Sequence, residues 1–363
     1  MIPRKTRVAV VFGGRSTEHA ISCVSAGRIL AALDPDKYEV VPVGITREGA
    51  WVLAAGDPAQ LSIQDSRLPE ITAESGSTVV LPADPTSSGL MVLEPADGVR
   101  SLAGVDVVFP VLHGAYGEDG TIQGMLEMAG IPYVGVNVFA SAAGMDKEFT
   151  KKLAAAEGIP VGKYTVLRAG QSLSEADRER LGLPVFVKPA RAGSSYGVSK
   201  VTTWADLDDA ITEARQIDPK VLVEAAIVGR EIECGVLEGE TDGVPEASLL
   251  AEVHVPERDL LDFEAKYLEA AKYDIPAGLP DEITEQVREY ARRTFTALDC
   301  AGLARVDFFV TADHRIYLNE INTMPGFTPT SMFPLMWEAT GLSRAQVADR
   351  LIQAALRRGT GLH

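Results

Sequence analysis

Two runs near the C-terminal end decide the fold: Arg305-Val306-Asp307-Phe308-Phe309-Val310, and Ile316-Tyr317-Leu318-Asn319-Glu320-Ile321-Asn322, the latter leading into Thr323-Met324-Pro325-Gly326. Each reads as a strand. Glu320 and Asn322 are two apart on an extended run, so they share a face. Asp307, on the preceding strand, can lie beside them. Their surroundings (Val306, Phe308, Phe309, Ile316, Leu318, Ile321) are apolar. Charge in such a frame is costly unless something cationic pairs with it. Three hard oxygen donors on one sheet face suit Mg²⁺, which takes a few carboxylates plus substrate phosphates.

At 363 residues the chain is longer than one ordinary domain, which predicts two or three domains sharing an interface. Its net charge of −17, from 34 basic and 51 acidic residues, argues against nucleic acid as the partner. A polyanionic small molecule in a local pocket stays open. Cys23, Cys234 and Cys300 lack metal-ligand spacing and read as buried thiols in a reducing compartment. Met1 to Arg7 leads into a strand, and no apolar run has membrane-spanning length. The expectation is a cytoplasmic protein with no membrane contact.

Arg7-Val-Ala-Val-Val-Phe12 is an apolar run ending at Gly13-Gly14. Ser16 and Thr17 can cap the helix that follows, through about Leu33, and Tyr38 to Ile45 is the next strand. This β–loop–α–β opening is typical of an α/β fold with a parallel sheet. Residues 53–103 read as an elaboration of short strands and loops. Further strands are expected at Val105–Leu112, Pro132–Val136, Val185–Pro189, Val221–Glu224 and Arg230–Leu237. Helices are expected at Thr121–Ala129, Asp146–Glu157, Trp204–Gln216, about 281–298 and about 343–357, with a long loop over 254–280.

Several segments carry candidate chemistry. Lys188 ends a strand before Gly193-Ser194-Ser195-Tyr196-Gly197, which offers a cation and backbone N–H groups to phosphate. Read alone, this is an ordinary hairpin, and it is not a Walker A motif. Lys147 is a second possible phosphate cation, though alone it reads as solvated helix charge; Lys151 and Lys152 show how common such lysines are. Glu224 and Glu231 flank a short linker that could meet an adenine edge and ribose hydroxyls; without context they are surface glutamates. Gly13 to His19 lacks the G-x-G-x-x-G spacing of a dinucleotide fingerprint, and Glu39 as a ribose acid is a weak match. Glu18 is either a dipole-favoured charge or a carboxylate that binds a substrate ammonium. Asp262 to Tyr267, with Tyr273 and Pro276, reads as a lid or as a tolerated insertion.

Taken in order, Phe12-Gly-Gly-Arg-Ser-Thr-Glu-His19, His113-Gly-Ala-Tyr-Gly-Glu-Asp-Gly-Thr-Ile-Gln-Gly124, Lys188-Pro-Ala-Arg-Ala-Gly-Ser-Ser-Tyr-Gly197, Glu264-Ala-Lys-Tyr267, Arg305-Val-Asp307 and Asn319-Glu-Ile-Asn-Thr-Met-Pro-Gly326 resemble the ATP-grasp superfamily, and within it the D-alanine–D-alanine ligases. Only residues about 53–103 fall outside the likeness. The resemblance implies an ATP-grasp fold with ATP held between two sheets. It implies a Rossmann-like unit over 1–145, a central ATP-grasp unit over 146–230 and a catalytic unit over 231–363 with the lid at about 254–280.

The roles the resemblance implies are these. Lys147, Lys188, Ser194 and Ser195 would hold ATP phosphates, with Lys266 reaching them from the lid. Glu224 and the backbone near Ile227 would meet the adenine, and Glu231 the ribose. Asp307, Glu320 and Asn322 would bind two Mg²⁺ or Mn²⁺ ions. Glu18 would hold the ammonium of the first D-alanine with His113 nearby, and Glu18, Ser194 and Tyr267 would form a hydrogen-bonded chain closing the lid. Arg305 and the Gly326 N–H would form an oxyanion site, and Ser331 would bind the carboxylate of the second D-alanine. The implied reaction joins two D-alanines through a D-alanyl phosphate, for peptidoglycan precursor synthesis, in a homodimer.

The nearest rival is a D-alanine–D-lactate ligase, but such enzymes often replace the lid tyrosine that Tyr267 retains here. Another ATP-grasp carboxylate–amine ligase is more distant. A dehydrogenase or nucleotide-binding regulator on the N-terminal β–α–β unit is disfavoured by the missing glycine spacing and by the acidic triplet, which it would not need.

Overall fold

The computed structural model describes residues 4–63, 67–86, 90–94, 98–101, 104–240, 243–254 and 272–361. Three sheets organise them. The first has strands β1 (Thr6–Gly13), β2 (Tyr38–Ile45), β3 (Trp51–Ala54), β4 (Gly76–Val80), β5 (Met91–Glu94), β6 (Gly98–Ser101) and β7 (Val107–Val111), in the order β6-β5-β4-β3-β2-β1-β7. β1 is parallel to both β2 and β7. It is buried along almost its whole length, which a continuous apolar run requires when both sheet faces are covered. The elaboration over 53–103 is an antiparallel meander, β3 to β6, extending one edge of this sheet.

Helix α1 (His19–Ala32) packs on this sheet and is buried on most sides. Ser16 does not cap it in the expected way: the cap position is Glu18, whose N–H donates to Ser16 Oγ at 3.2 Å. After α2 (Thr121–Met128), the expected strand at 132–136 is reduced to one bridge, Tyr133 beside Val108. Gly135, at φ +104, takes the chain out of extended backbone there.

The second sheet is antiparallel: β8 (Tyr164–Leu167), β9 (Val185–Pro189), β10 (Ser199–Val201) and β11 (Val221–Ala225), in the order β10-β9-β11-β8. Helices α5 (Glu175–Leu181) and α6 (Leu207–Arg215) close its core.

The third sheet is also antiparallel: β12 (Arg230–Leu237), β13 (Glu246–His254), β14 (Lys272–Asp274), β15 (Leu303–Val310) and β16 (Ile316–Asn322), in the order β14-β13-β12-β15-β16. Its apolar face, including Ile232, Cys234, Val236, Val306, Phe308 and Leu318, packs against α7 (Asp281–Ala297). Two further helices, α3 (Val138–Met145) and α4 (Lys147–Ala156), share that core through Ala143 and Ala154.

The chain then returns to the first sheet. α8 (Met332–Thr340) and α9 (Arg344–Arg358) bury Phe333, Trp337, Leu351 and Ile352 with Val8, Val10 and Phe109. Helices α3, α5 and α8 and strands β8, β10 and β13 had no counterpart among the expected elements. The expected loop over 254–280 includes the end of β13 and all of β14; its remainder at 255–271, with Lys266 and Tyr267, lies outside the described residues. Cys23 and Cys234 are buried, while Cys300 is only partly so, and all three are free thiols. Among the described residues no helix is long and apolar enough to cross a membrane.

Candidate active site

The register of β12, β15 and β16 builds one polar sheet face. Glu233 pairs with Asp307, Asp307 with Glu320, and Arg305 with Asn322. Because strand side chains alternate, Glu231, Glu233, Arg305, Asp307, Glu320 and Asn322 point away from the apolar core. Asn322 Nδ2 donates to Asp307 Oδ2 at 2.9 Å, so the expected triplet is assembled. Arg305 grips the same carboxylate with two hydrogen bonds, Nε to Oδ1 at 2.8 Å and Nη2 to Oδ2 at 2.7 Å, and lies 3.2 Å from Glu233. Burial disfavours the Arg305 charge, but Asp307 and Glu233 outweigh it and hold the guanidinium well above its ordinary value. Glu233 was not among the expected site residues; its position two before Gly235, on the Glu231 face, was the available signal.

Facing this sheet is the cation-bearing edge of α4. Lys147 Nζ donates to Ala192 O at 2.8 Å and lies 3.4 Å from Glu320. Lys151, one turn on, is not solvated helix charge. It is 2% exposed and lies 3.3 Å from Glu224 Oε1. Lys188 on β9 closes on the other oxygen, Oε2, at 2.6 Å. Burial opposes the Glu224 charge, but Lys151 and Lys188 hold its carboxyl below the ordinary range. Burial also lowers the Lys151 ammonium from its usual value. Glu224 is thus no surface glutamate: it lies between two ammonium groups. Ile227 packs toward Gly162, and Glu231 sits on the polar face of β12.

The third part of the site comes from the first sheet. Glu18 and His113 are buried. Ser194, in the loop after Lys188, donates its hydroxyl to Glu18 Oε1. Ser194 and Ser195 both take left-handed backbone, at φ +48 and +56. Gly114 sits against Glu18: at φ +73, a Cβ there would also lie 2.9 Å from Glu18 Oε2. His113 Nδ1 meets the Met324 carbonyl at 3.0 Å. A carbonyl only accepts, so Nδ1 carries the hydrogen, and Nε2 accepts from Ser25 Oγ at 3.1 Å. Burial keeps this imidazole below its ordinary pKa, in the neutral form. Gly326 is packed against Ser331, whose Oγ would be 2.7 Å from a Cβ on the glycine. Ser331 Oγ in turn accepts from Thr328 N–H at 2.9 Å. A cavity of about 190 Å³, lined by Gly14, Ser16, Leu112, His113 and Tyr116, adjoins the Glu18 turn.

One weak match finds a different partner. Glu39 pairs with Arg7 at 3.0 Å rather than facing a nucleotide site. Tyr267, expected to extend the Glu18–Ser194 link, lies outside the described residues, as does Lys266.

Comparisons with known proteins match the chain over nearly its whole length. The family described as D-ala D-ala ligase N-terminus matches residues 7–136, and that described as D-ala D-ala ligase C-terminus matches residues 153–353. A D-alanine--D-alanine ligase of Mycobacterium avium is 61% identical, with 99% of each chain covered. Its counterpart in Nocardia farcinica is 62% identical, again over 99% of each. Among solved structures, a D-alanine-D-alanine ligase from Coxiella burnetii aligns with a TM-score of 0.83 at 34% identity, over 98% of this chain and 95% of that one. A VanG D-Ala:D-Ser ligase from Enterococcus faecalis aligns equally well, with a TM-score of 0.83 at 35% identity, over 97% of this chain and 100% of the other. The chain belongs to the D-alanine–D-alanine ligase family, and its fold is the ATP-grasp fold.

Proposed function

We propose that this chain joins two D-alanine molecules to D-alanyl-D-alanine through a D-alanyl phosphate, releasing ADP and phosphate, for cell-wall precursor synthesis. The observation that carries the reading is the facing of two charged surfaces. Arg305, Asp307, Glu320 and Asn322 lie in register on one sheet, with Lys147, Lys151 and Lys188 opposite them.

The acidic groups of this cleft already offset its cations: Lys147, Lys151, Lys188 and Arg305 lie against Glu224, Glu233, Asp307 and Glu320, with Glu231 on the same face. A triphosphate adds several negative charges, so it must arrive with its own divalent cations. Asp307, Glu320 and Asn322 fit such ions, because they offer hard oxygen donors with few competing soft ligands. Mg²⁺ or Mn²⁺ held there would add positive charge beside the phosphate oxygens.

A carboxylate is a poor electrophile. A carboxylate oxygen of the first D-alanine attacks the γ-phosphorus, the bond to ADP breaks, and the phosphorylated oxygen is now part of a good leaving group. Glu18 orients that substrate by its ammonium, and Lys147 and Lys188 hold the phosphates in line. The amine of the second D-alanine then attacks the acyl carbon, and phosphate leaves. Arg305 and the Gly326 N–H stabilise the tetrahedral oxyanion, and Ser331 binds the second carboxylate. Lys266 and Tyr267, from the lid, complete the enclosure that keeps water from the acyl phosphate. Glu231 holds the ribose, while Glu224 and the backbone at Ile227 meet the adenine. A homodimer in the cytoplasm is the assembly and setting this reading takes.

The test is phosphate release from ATP with Mg²⁺ and D-alanine, set against L-alanine, D-serine and D-lactate, with products identified by mass. D-alanyl-D-alanine should dominate at neutral pH. A depsipeptide or a mixed D-Ala–D-Ser product as the main species would overturn the choice of second substrate.

A further inference from the structure

Glu118 is half-buried and spans two parts of the site. Its Oε2 accepts from Gly114 N–H at 2.8 Å, and its Oε1 accepts from Met324 N–H at 3.0 Å. Gly114 is the turn against which the Glu18 carboxylate lies. Met324 is two residues before Gly326. A single carboxylate therefore ties the backbone beside Glu18 to the segment that carries the Gly326 N–H. The same segment is held at two more backbone atoms, Met324 O by His113 and Phe327 N–H by Ser25 Oγ at 3.2 Å.

The choice of side chain is informative. Bridging two N–H donors needs an acceptor at both tips, and only a carboxylate offers that; a glutamine would turn its NH₂ toward one donor. The carboxylate is nevertheless poorly placed for stability. Burial first, and the Glu18 charge second, push its pKa up to about 7, against the opposing N–H bonds from Gly114 and Met324 and the charge of Arg305. Ionising this carboxyl is therefore costly, and a neutral side chain would fold more easily there.

We propose that Glu118 is a positioning residue of the ligation reaction. It sets the separation between the Glu18 carboxylate, where the first substrate's ammonium sits, and the Gly326 N–H, where that substrate's acyl oxygen sits. The proposal rests on the ligase reading above.

The test compares Glu118→Gln and Glu118→Ala with the wild-type full chain, using ATP, Mg²⁺ and D-alanine. Glu118→Gln should lower kcat/KM for the first D-alanine by about tenfold to a hundredfold. KM for ATP should stay within about twofold, since the nucleotide contacts lie on other elements. The Gln variant should melt no lower than wild type at pH 8, a combination that a merely structural role would not produce. If the Ala variant fails to fold, the Gln variant carries the test alone. Turnover of Glu118→Gln equal to wild type, or a parallel rise in KM for ATP and D-alanine, overturns the inference. A wild type that releases no phosphate with D-alanine overturns the ligase reading and this inference with it.

Discussion

The Ser194 hydroxyl donates to Glu18 Oε1 across 176 residues of sequence. It joins the loop after β9, on the second sheet, to the start of α1 on the first. Ser194 holds left-handed backbone to do so, which only a well-determined loop sustains. A hydrogen bond to a charged group contributes about 1.5–3 kcal/mol. Ser194→Ala should therefore lower kcat/KM for D-alanine by about tenfold to a hundredfold, read by steady-state kinetics. Unaltered kinetics would show that turnover does not use the contact.

Glu320 gives the cleanest probe of the proposed metal corner. It lies 3.4 Å from Lys147 and is 28% exposed, and without it Lys147 still donates to the Ala192 carbonyl. Glu320→Gln should keep the melting temperature and cut turnover by about a hundredfold or more, with the Mg²⁺ concentration for half-activation rising. Asp307→Asn should do the same at greater cost to stability, because Arg305 then loses the carboxylate it holds with two hydrogen bonds. Wild-type activity of Glu320→Gln at every Mg²⁺ concentration would falsify the metal assignment.

The polar face of the third sheet was legible in the sequence because period-two alternation is local. Arg305 and Asp307 alternate with Val306 and Phe308 along one strand, and Glu320 and Asn322 flank Ile321 along the next. Helix α8 was hidden by Pro334, which reads as a breaker. It sits in the first turn, where its missing N–H would be unpaired anyway. Helix α3, Val-Phe-Ala-Ser-Ala-Ala-Gly-Met, is short and apolar throughout and carries no helical stripe to recognise. The burial of Lys151 depends on β11 and β16 folding over α4, which no local pattern reports. Only its spacing of four from Lys147 hinted at a shared face.

Lys151 therefore supports a prediction that the sequence alone would not have raised. With Lys188 it brackets the Glu224 carboxylate, and it also reaches the Asn319 carbonyl at 3.3 Å. Removing one partner of a buried ion pair costs about 3–5 kcal/mol. Lys151→Met should lose stability of that order in urea unfolding and raise KM for ATP by roughly tenfold, because Lys188 must then offset the Glu224 charge without Lys151. Lys152→Ala is the control. Lys152 is 56% exposed and pairs with Glu148, so its loss should shift stability by no more than about 1 kcal/mol. Equal effects of the two substitutions would remove Lys151 from the site.

The pH dependence of stability isolates Glu118. Its carboxyl rises from an ordinary 4.5 to about 7 on folding, chiefly by burial and then by the Glu18 charge. A raised folded-state value means the contribution is fully present below pH 4.5 and is lost as pH rises through about 7. Each pKa unit is about 1.36 kcal/mol, so the loss totals roughly 3 kcal/mol. Glu118→Gln does not titrate. The unfolding free energy of wild type minus that of Glu118→Gln should fall by about 2–3 kcal/mol between pH 5 and pH 8. Cys23 and Cys234, pushed up to about 12, add nothing across that window. A difference that stays flat with pH would mean that Glu118 is ionised at no cost, and that its two N–H bonds outweigh its burial.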